Sequence, residues 1–259
     1  MQRPAVFAAV LLTCSPALAD PPVVRVSQEQ QRKVCNQGQC RIERSTVWGT
    51  GTVIGRDESN RVIVLSCGHG WGSGPVDIWF RKGDHREGRI LAKRVDGDVD
   101  IGLIAFTSKA DVPAYPLGEK APSKGHALTT GGWGDGTLKM NCVDADGYFG
   151  KNTLVISTTY RQGDSGGPVL WDDKLVGVVN GNMDRQGVAT SVKACRAFVQ
   201  ATLGSVPGPV EEAEAPPVPP PLEPVPAAPK SELLVIMERL DRIERRLDLL
   251  STPFPKVIK

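Results

Sequence analysis

The stretch Gly163-Asp164-Ser165-Gly166-Gly167-Pro168 holds a serine on a tightly turned loop. The flanking glycines admit backbone angles closed to other residues and let a substrate carbonyl come close to main-chain amides. A serine hydroxyl is a weak nucleophile without a base, so the three histidines come next: His69, His85 and His126. His69 closes the apolar run Val62-Ile63-Val64-Leu65-Ser66-Cys67-Gly68, a strand that ends at a glycine. Its imidazole is then held by the core yet stands near solvent. His85 lies in the charged turn Lys82-Gly83-Asp84-His85-Arg86, and His126 follows Pro122-Ser123-Lys124-Gly125. His69 is therefore the expected general base. A base of this kind needs a partly buried carboxylate to orient it. Among the crowded Asp96, Asp98 and Asp100, Asp100 directly precedes the apolar Ile101-Gly102-Leu103-Ile104 and is expected to point inward, with Asp98 as the fallback.

Around these residues the chain is a series of short β runs. Strands are expected at Thr50 to Ile54, Arg61 to Ser66, Val76 to Arg81, Gly88 to Arg94, Ile101 to Phe106, Thr153 to Ser157, Pro168 to Trp171 and Leu175 to Asn180, with Gly, Asp and Asn between them. One helix is expected, Ser191 to Leu203, with Ser191 as N-cap and Gly204 as the stop. Many short strands with a single helix predict an all-β barrel or sandwich.

The order His69, Asp100, Ser165 resembles that of the trypsin/chymotrypsin-like serine peptidases. The resemblance rests on the serine hexapeptide, the strand leading to His69, Asp100-Ile101-Gly102-Leu103, and Gly49-Thr50-Gly51-Thr52-Val53-Ile54, which is similar to the opening strand of the bacterial stress proteases. It spans about residues 46 to 203. It implies two six-stranded antiparallel β-barrels with the site in the cleft between them, a C-terminal helix, and peptide-bond hydrolysis through an acyl-enzyme on a protein or peptide substrate. It further implies that His69 serves as base and then acid, that Asp100 orients it, that Ser165 attacks, and that the N–H groups of Gly163 and Ser165 form the oxyanion hole. Asn180-Gly181-Asn182 corresponds to the strand that binds the substrate backbone and walls the specificity pocket, and Thr159 to the pocket base. No metal and no cofactor is expected.

The departures from that pattern also matter. A neutral Thr159 gives no support to a preference for Lys or Arg. No histidine follows Ser165, which weakens a Glu-specific reading, and Arg161 is open to either an acidic substrate group or solvent. Only eight residues separate Ile42 from Gly51, too few for a new N-terminus at Ile42 to reach Asp164. No zymogen cleavage is expected, and the partner of Asp164 is left open. The stress proteases carry a further peptide-binding domain, for which residues 205–259 leave no room.

The near balance of 31 Lys and Arg against 29 Asp and Glu excludes a nucleic-acid binder driven by phosphate attraction. Residues 1–19 read as a signal peptide: Arg3, the apolar Ala5 to Leu12, then Ala17-Leu18-Ala19 before Asp20. The apolar run is too short to span a bilayer. Export to the periplasm or outside the cell is expected, with lipid anchoring at Cys14 as a minor alternative. Export permits disulfides. Cys35–Cys40 and then Cys142–Cys195 are the expected pairs, with Cys67 free and buried. A zinc site is disfavoured because Cys and His do not pair at finger-like spacing.

Residues 20–44 read as a polar arm and 45–204 as the globular domain. Ten prolines between Pro207 and Pro229 make 205–230 an extended spacer reaching roughly 75 Å. In 231–251, Leu233, Ile236, Leu240, Ile243, Leu247 and Leu250 fall on heptad a and d positions, with Arg239 and Glu244 flanking. A lone helix of this length must bury that stripe, and self-association into a homo-oligomer is the preferred reading over docking on the same chain. Residues 252–259 form a tail. Two other functions stay open beside an active exported endopeptidase: a catalytically silent peptide binder on a protease scaffold, and an adaptor that oligomerises through residues 231–251.

Overall fold

The computed structural model describes residues 21–36, 39–80 and 83–207. The expected signal segment with Cys14, and the chain from 208 onward with the expected heptad helix of 231–251 and the tail, lie outside the described residues. The chain divides into two units, Met1–Glu211 and Glu212–Lys259, and all described residues belong to the first.

That unit is two closed six-stranded antiparallel barrels and one helix. The first barrel holds β1 (Val23–Asn36), β2 (Gln39–Arg56), β3 (Val62–Ser66), β4 (Pro75–Trp79), β5 (His85–Asp96) and β6 (Val99–Phe106), closed in the order β1-β2-β3-β6-β5-β4. The second holds β7 (Ala127–Gly132), β8 (Lys139–Phe149), β9 (Thr153–Ile156), β10 (Pro168–Trp171), β11 (Lys174–Met183) and β12 (Gln186–Ser191), closed as β10-β11-β12-β9-β8-β7. Helix α1 (Val192–Leu203) follows directly.

Period-2 alternation explains why the central strands read as unbroken apolar runs. In β3, Val62 and Val64 face the first barrel's interior, while Ile63 and Leu65 face a second core shared with the other barrel. In β6, Ile104 and Phe106 take the first side and Ile101 and Leu103 the second. In β11, whose pairing with β10 and β12 carries register shifts that break strict alternation, Val176 and Val179 fill the second barrel, while Leu175 and Val178 reach the shared core. These strands are buried on both faces, so neither face carries the polar half of the usual alternation. The shared core, which also takes Val199 of α1, is what holds the barrels against one another.

The eight expected strands all form. Four more, β1, β7, β8 and β12, were not expected. The polar arm belongs to the barrel: β1 pairs with β2 along its whole length and with β4 at Arg25–Ser27. Beyond Gln30 the β1–β2 pair leaves the barrel as an exposed ribbon, crosslinked by the expected Cys35–Cys40 disulfide between cross-strand partners. The expected Cys142–Cys195 bridge is not formed. Cys195 is a free, wholly buried thiol in the shared core, whereas Cys142 sits at an exposed position on β8. Burial pushes the Cys195 thiol up to about 12. Cys67 is free and buried, as expected. Ser191 stands at the helix N-cap without a side-chain cap bond, and Gly204 ends the helix at φ 78°, its N–H bonded to the Gln200 carbonyl.

Candidate active site

β3 stops at Ser66, and Cys67-Gly68 carry the chain to His69 across the start of β6, where Ser66 pairs with Gly102. This crossing is tight. A Cβ on Gly68 would stand 2.6 Å from the Ile101 carbonyl oxygen, so only glycine lets the loop lie on β6. Asp100, two residues before Gly102, then faces the loop end-on. Its Oδ1 accepts the Gly68 N–H at 2.7 Å and the His69 N–H at 2.8 Å, and its Oδ2 contacts His69 Nδ1. The structure thus selects among the three aspartates. Asp98 instead accepts from the Asn152 backbone and side chain at 3.0 and 3.1 Å, and Asp96 pairs with the exposed Arg94.

The Asp100 side chain is 16% exposed and that of His69 45%. Burial is the largest influence on the Asp100 carboxyl and pushes it up, but the bonds from His69 and Gly68 outweigh it and hold the group below the usual range. The hydrogen bond that His69 donates to the Asp100 carboxylate raises the histidine above its ordinary value, with Cys67 adding to it and burial opposing it. His85 stacks on Trp79 and His126 on Trp171, each outside the cleft.

The second barrel reaches the same point. Thr190 of β12 places its hydroxyl 3.0 Å from both the N–H and the carbonyl of Asp100, accepting from the first and donating to the second. The Asn180 side chain bonds the same hydroxyl at 3.1 Å.

The serine loop is packed against the first barrel. The Ser165 carbonyl accepts from the Thr50 N–H at 2.8 Å, and Thr50 Oγ1 donates to the Gly163 carbonyl at 2.7 Å while accepting from the Trp133 N–H at 2.9 Å. Gly166, at φ 87°, is obligatory: a Cβ there would lie 2.0 Å from the Thr50 carbonyl oxygen and 2.3 Å from Ser66 Oγ. Gly163, at φ 96°, is covered by the Trp48 ring. With the Gly163 carbonyl held from behind by Thr50, the N–H groups of Gly163 and Ser165 have no partner among the described residues. Ser165 Oγ donates to the Asn180 carbonyl at 3.1 Å, and not to His69. His69, Ser165, Gly163 and Trp48 line one cavity of about 160 Å³, together with Val47, Trp71 and Gln162.

Asp164 finds its partners in the main chain. Its Oδ1 accepts the Gly134 N–H at 2.8 Å and its Oδ2 the Arg161 N–H at 2.8 Å, with no cation paired to it among the described residues. Gly134 makes room for it, since a Cβ there would lie 2.6 Å from Oδ1. The Arg161 guanidinium pairs with the exposed Asp135. Asn180, Gly181 and Asn182 lie at the end of β11, beside Ser165. Thr159 is exposed, and the buried side chain at that point of the wall is Tyr160.

Sequence reasoning did not single out Thr50, Thr190, Trp48, Gly134 or Tyr160. Thr50 lay inside a quoted motif, but its two-sided hydrogen bonding depends on which strand the serine loop packs against. Thr190 is separated from Asp100 by 90 positions, and nothing local marks it.

A nucleophile loop and a histidine-carboxylate pair facing each other between two six-stranded barrels define a serine protease of the two-barrel class. The chain belongs to the trypsin family, whose model matches residues 29–199. Among solved structures it is similar to the HtrA-type protease AlgW with a decapeptide, at 14% identity and a TM-score of 0.54, covering 70% of this chain and 64% of that one. It is also similar to the active form of the Rv3671c protease from M. tuberculosis, at 20% identity and a TM-score of 0.53, covering 74% and 84%. The inactive serine-to-alanine form of that protein gives 20% identity and 0.51, covering 71% and 87%. At these identities the likeness is one of fold. No curated protein sequence matches the chain.

Proposed function

We propose that this chain is an exported serine endopeptidase that cleaves peptide bonds through Ser165, His69 and Asp100. The observation that carries the reading is the conjunction of an Asp100 carboxylate bound to three groups of the His69 loop with two free amides, Gly163 and Ser165, beside the serine. With Nδ1 engaged by Asp100, Nε2 of His69 is the nitrogen left to take the Ser165 proton. Oγ turns from the Asn180 carbonyl to His69, attacks the substrate carbonyl, and the oxygen that becomes negative is received by the two amides. The imidazolium then protonates the leaving amine, and water repeats the sequence on the acyl-enzyme. The protein supplies these amides and the carboxylate already oriented, so little reorganisation is needed as charge develops.

The AlgW structure holds a decapeptide, which supports a peptide or protein as the substrate class. The leader-like residues 1–19 and the Cys35–Cys40 disulfide support export, and sequencing of the mature N-terminus should begin at Asp20. The heptad stripe of 231–251 supports a homo-oligomer, and deletion of 231–259 should lower the mass in solution. The decisive measurement is active-site labelling. Wild-type protein should take a fluorophosphonate and hydrolyse peptide, and Ser165→Ala should do neither while melting at an unchanged temperature. A wild-type protein that takes no label under any condition would leave the peptide-binding scaffold as the better reading.

A further inference from the structure

Thr50 is wholly buried, yet every polar group it carries is bonded. Its N–H donates to the Ser165 carbonyl at 2.8 Å, and its own carbonyl accepts from Ser66 Oγ at 2.6 Å. Its hydroxyl lies between the Gly163 carbonyl, 2.7 Å away, and the Trp133 N–H, 2.9 Å away. The Trp133 N–H can only donate, so the hydroxyl oxygen accepts there and its single proton goes to the Gly163 carbonyl. A rotated hydroxyl would leave two buried groups unpaired, which is costly. Ser66 closes β3 and Trp133 follows β7, so one residue of β2 joins both barrels behind the serine loop.

The grip falls on the carbonyls of Gly163 and Ser165, while the N–H groups of the same two residues stay unbonded among the described residues. Gly163 is the residue that needs it. At φ 96° and without a Cβ it is soft about both backbone angles, so its N–H keeps one direction only if its carbonyl end is fixed. The bond from the Asp164 N–H to the Arg161 carbonyl, 3.0 Å, closes the turn but leaves the Gly163 carbonyl unheld. Thr50 supplies the missing restraint. Trp48, two residues back in β2, covers Gly163 from another side, since a Cβ there would stand 2.0 Å from its Cζ3.

We propose that Thr50 is a positioning residue for the oxyanion amides: its hydroxyl holds the Gly163 carbonyl and so keeps the Gly163 N–H aimed at the oxygen that becomes negative. This rests on Ser165 being the nucleophile. Thr50 touches no reacting atom and acts by fixing a donor before charge develops. A neutral substrate carbonyl gains little from that aim and the oxyanion gains much more. Loss of the hydroxyl therefore falls on kcat and leaves KM nearly alone.

The test compares Thr50→Val, which keeps the shape and the backbone N–H but has no hydroxyl, with Thr50→Ser, which keeps the hydroxyl. Fluorophosphonate uptake at completion counts the competent serine in each preparation, and circular dichroism melts report folding. Per labelled site, Thr50→Val should lose about 10- to 100-fold in kcat, short of the roughly 10²–10³-fold that outright removal of an oxyanion donor costs, with KM within about twofold. A peptide trifluoromethyl ketone, whose hemiketal with the serine carries the oxyanion, should bind more weakly by the same factor. The inflection of the pH–rate profile should stay in place, because the His69–Asp100 pair is untouched. Thr50→Ser should keep kcat within about threefold of wild type. Where Thr50→Val does not fold, Thr50→Ala against Thr50→Ser makes the same comparison with smaller side chains. A folded Thr50→Val that turns over at the wild-type rate per labelled site overturns the inference and leaves the nucleophile standing. So does a loss that Thr50→Ser shares, a loss confined to KM, or an unchanged affinity for the ketone. A wild type that takes no label overturns the Ser165 reading, and this inference with it.

Discussion

His69 is tuned by its neighbours in a direction that opposes the role of base proposed for it. Asp100 stabilises the imidazolium, so the histidine stays protonated to higher pH than an unperturbed one, and a protonated ring cannot accept the serine proton. The expected consequence is a kcat/KM that climbs with pH through an inflection above 6.5. In Asp100→Asn that inflection should fall toward 6.5 and kcat should drop by about 10⁴-fold, read from a pH–rate profile of each protein. Folding stability follows the opposite course. A raised histidine contributes fully below its unfolded value of 6.5 and loses that contribution as pH rises through the folded value. A depressed Asp100 contributes above 3.8 and loses it as pH falls through its folded value. The pair therefore stabilises most between those two pH values, below the range in which the enzyme works best. Thermal melts against pH should show that optimum shrink in Asp100→Asn.

At the scale of an element, the serine loop behaves as a part fitted between two strands. Gly166 has both a positive φ and backbone 2.0 Å from where a Cβ would sit, so no side chain is accommodated by rotation alone. Gly166→Ala should cost several kcal/mol, at or beyond the roughly 4 kcal/mol that marks exceptional single substitutions, and should abolish labelling even where the protein still folds. Differential scanning calorimetry with fluorophosphonate labelling separates the two effects. The β1–β2 ribbon should behave oppositely. Its outer half is exposed and its disulfide closes a separation of only five residues, so Cys35→Ser with Cys40→Ser should remove about 2 kcal/mol or less. The loss should appear as faster amide exchange in residues 30–45 while the barrel strands keep their protection. This ribbon was hidden in the sequence because its residues are polar on both faces. Its pairing comes from backbone bonds, and these leave no hydrophobic period to read.

Across the whole molecule, the groups of the proposed triad are divided between barrels. His69 and Asp100 come from the first, Ser165 from the second, and Thr50 and Thr190 cross the gap in opposite directions. The cleft is thus only as firm as the shared core beneath it. Leu175 of the second barrel is wholly buried there, in the same core that takes Ile63 and Leu65 of the first. Leu175→Ala should destabilise by about 2–5 kcal/mol. Because the weakened core is the one both barrels share, activity should fall at temperatures below the melting transition, as seen by following hydrolysis and circular dichroism on one heating ramp.

What the amino-acid order settled by itself was local. The hexapeptide around Ser165, the strand ending at His69 and the apolar run after Asp100 each carry their meaning within ten residues, because turn geometry and strand burial are short-range effects. Eight strands and the helix were legible for the same reason. Tertiary structure decided everything that depends on which strands lie side by side. It chose Asp100 over Asp98 and gave Asp164 the amides of Gly134 and Arg161 in place of a cation. It left Cys195 a buried thiol, bonded Thr190 to the backbone of Asp100, and tied the Asn182 side chain to the backbone of Tyr160. These are contacts between residues far apart in sequence, selected by the closing of two barrels upon one core, and no local pattern records them.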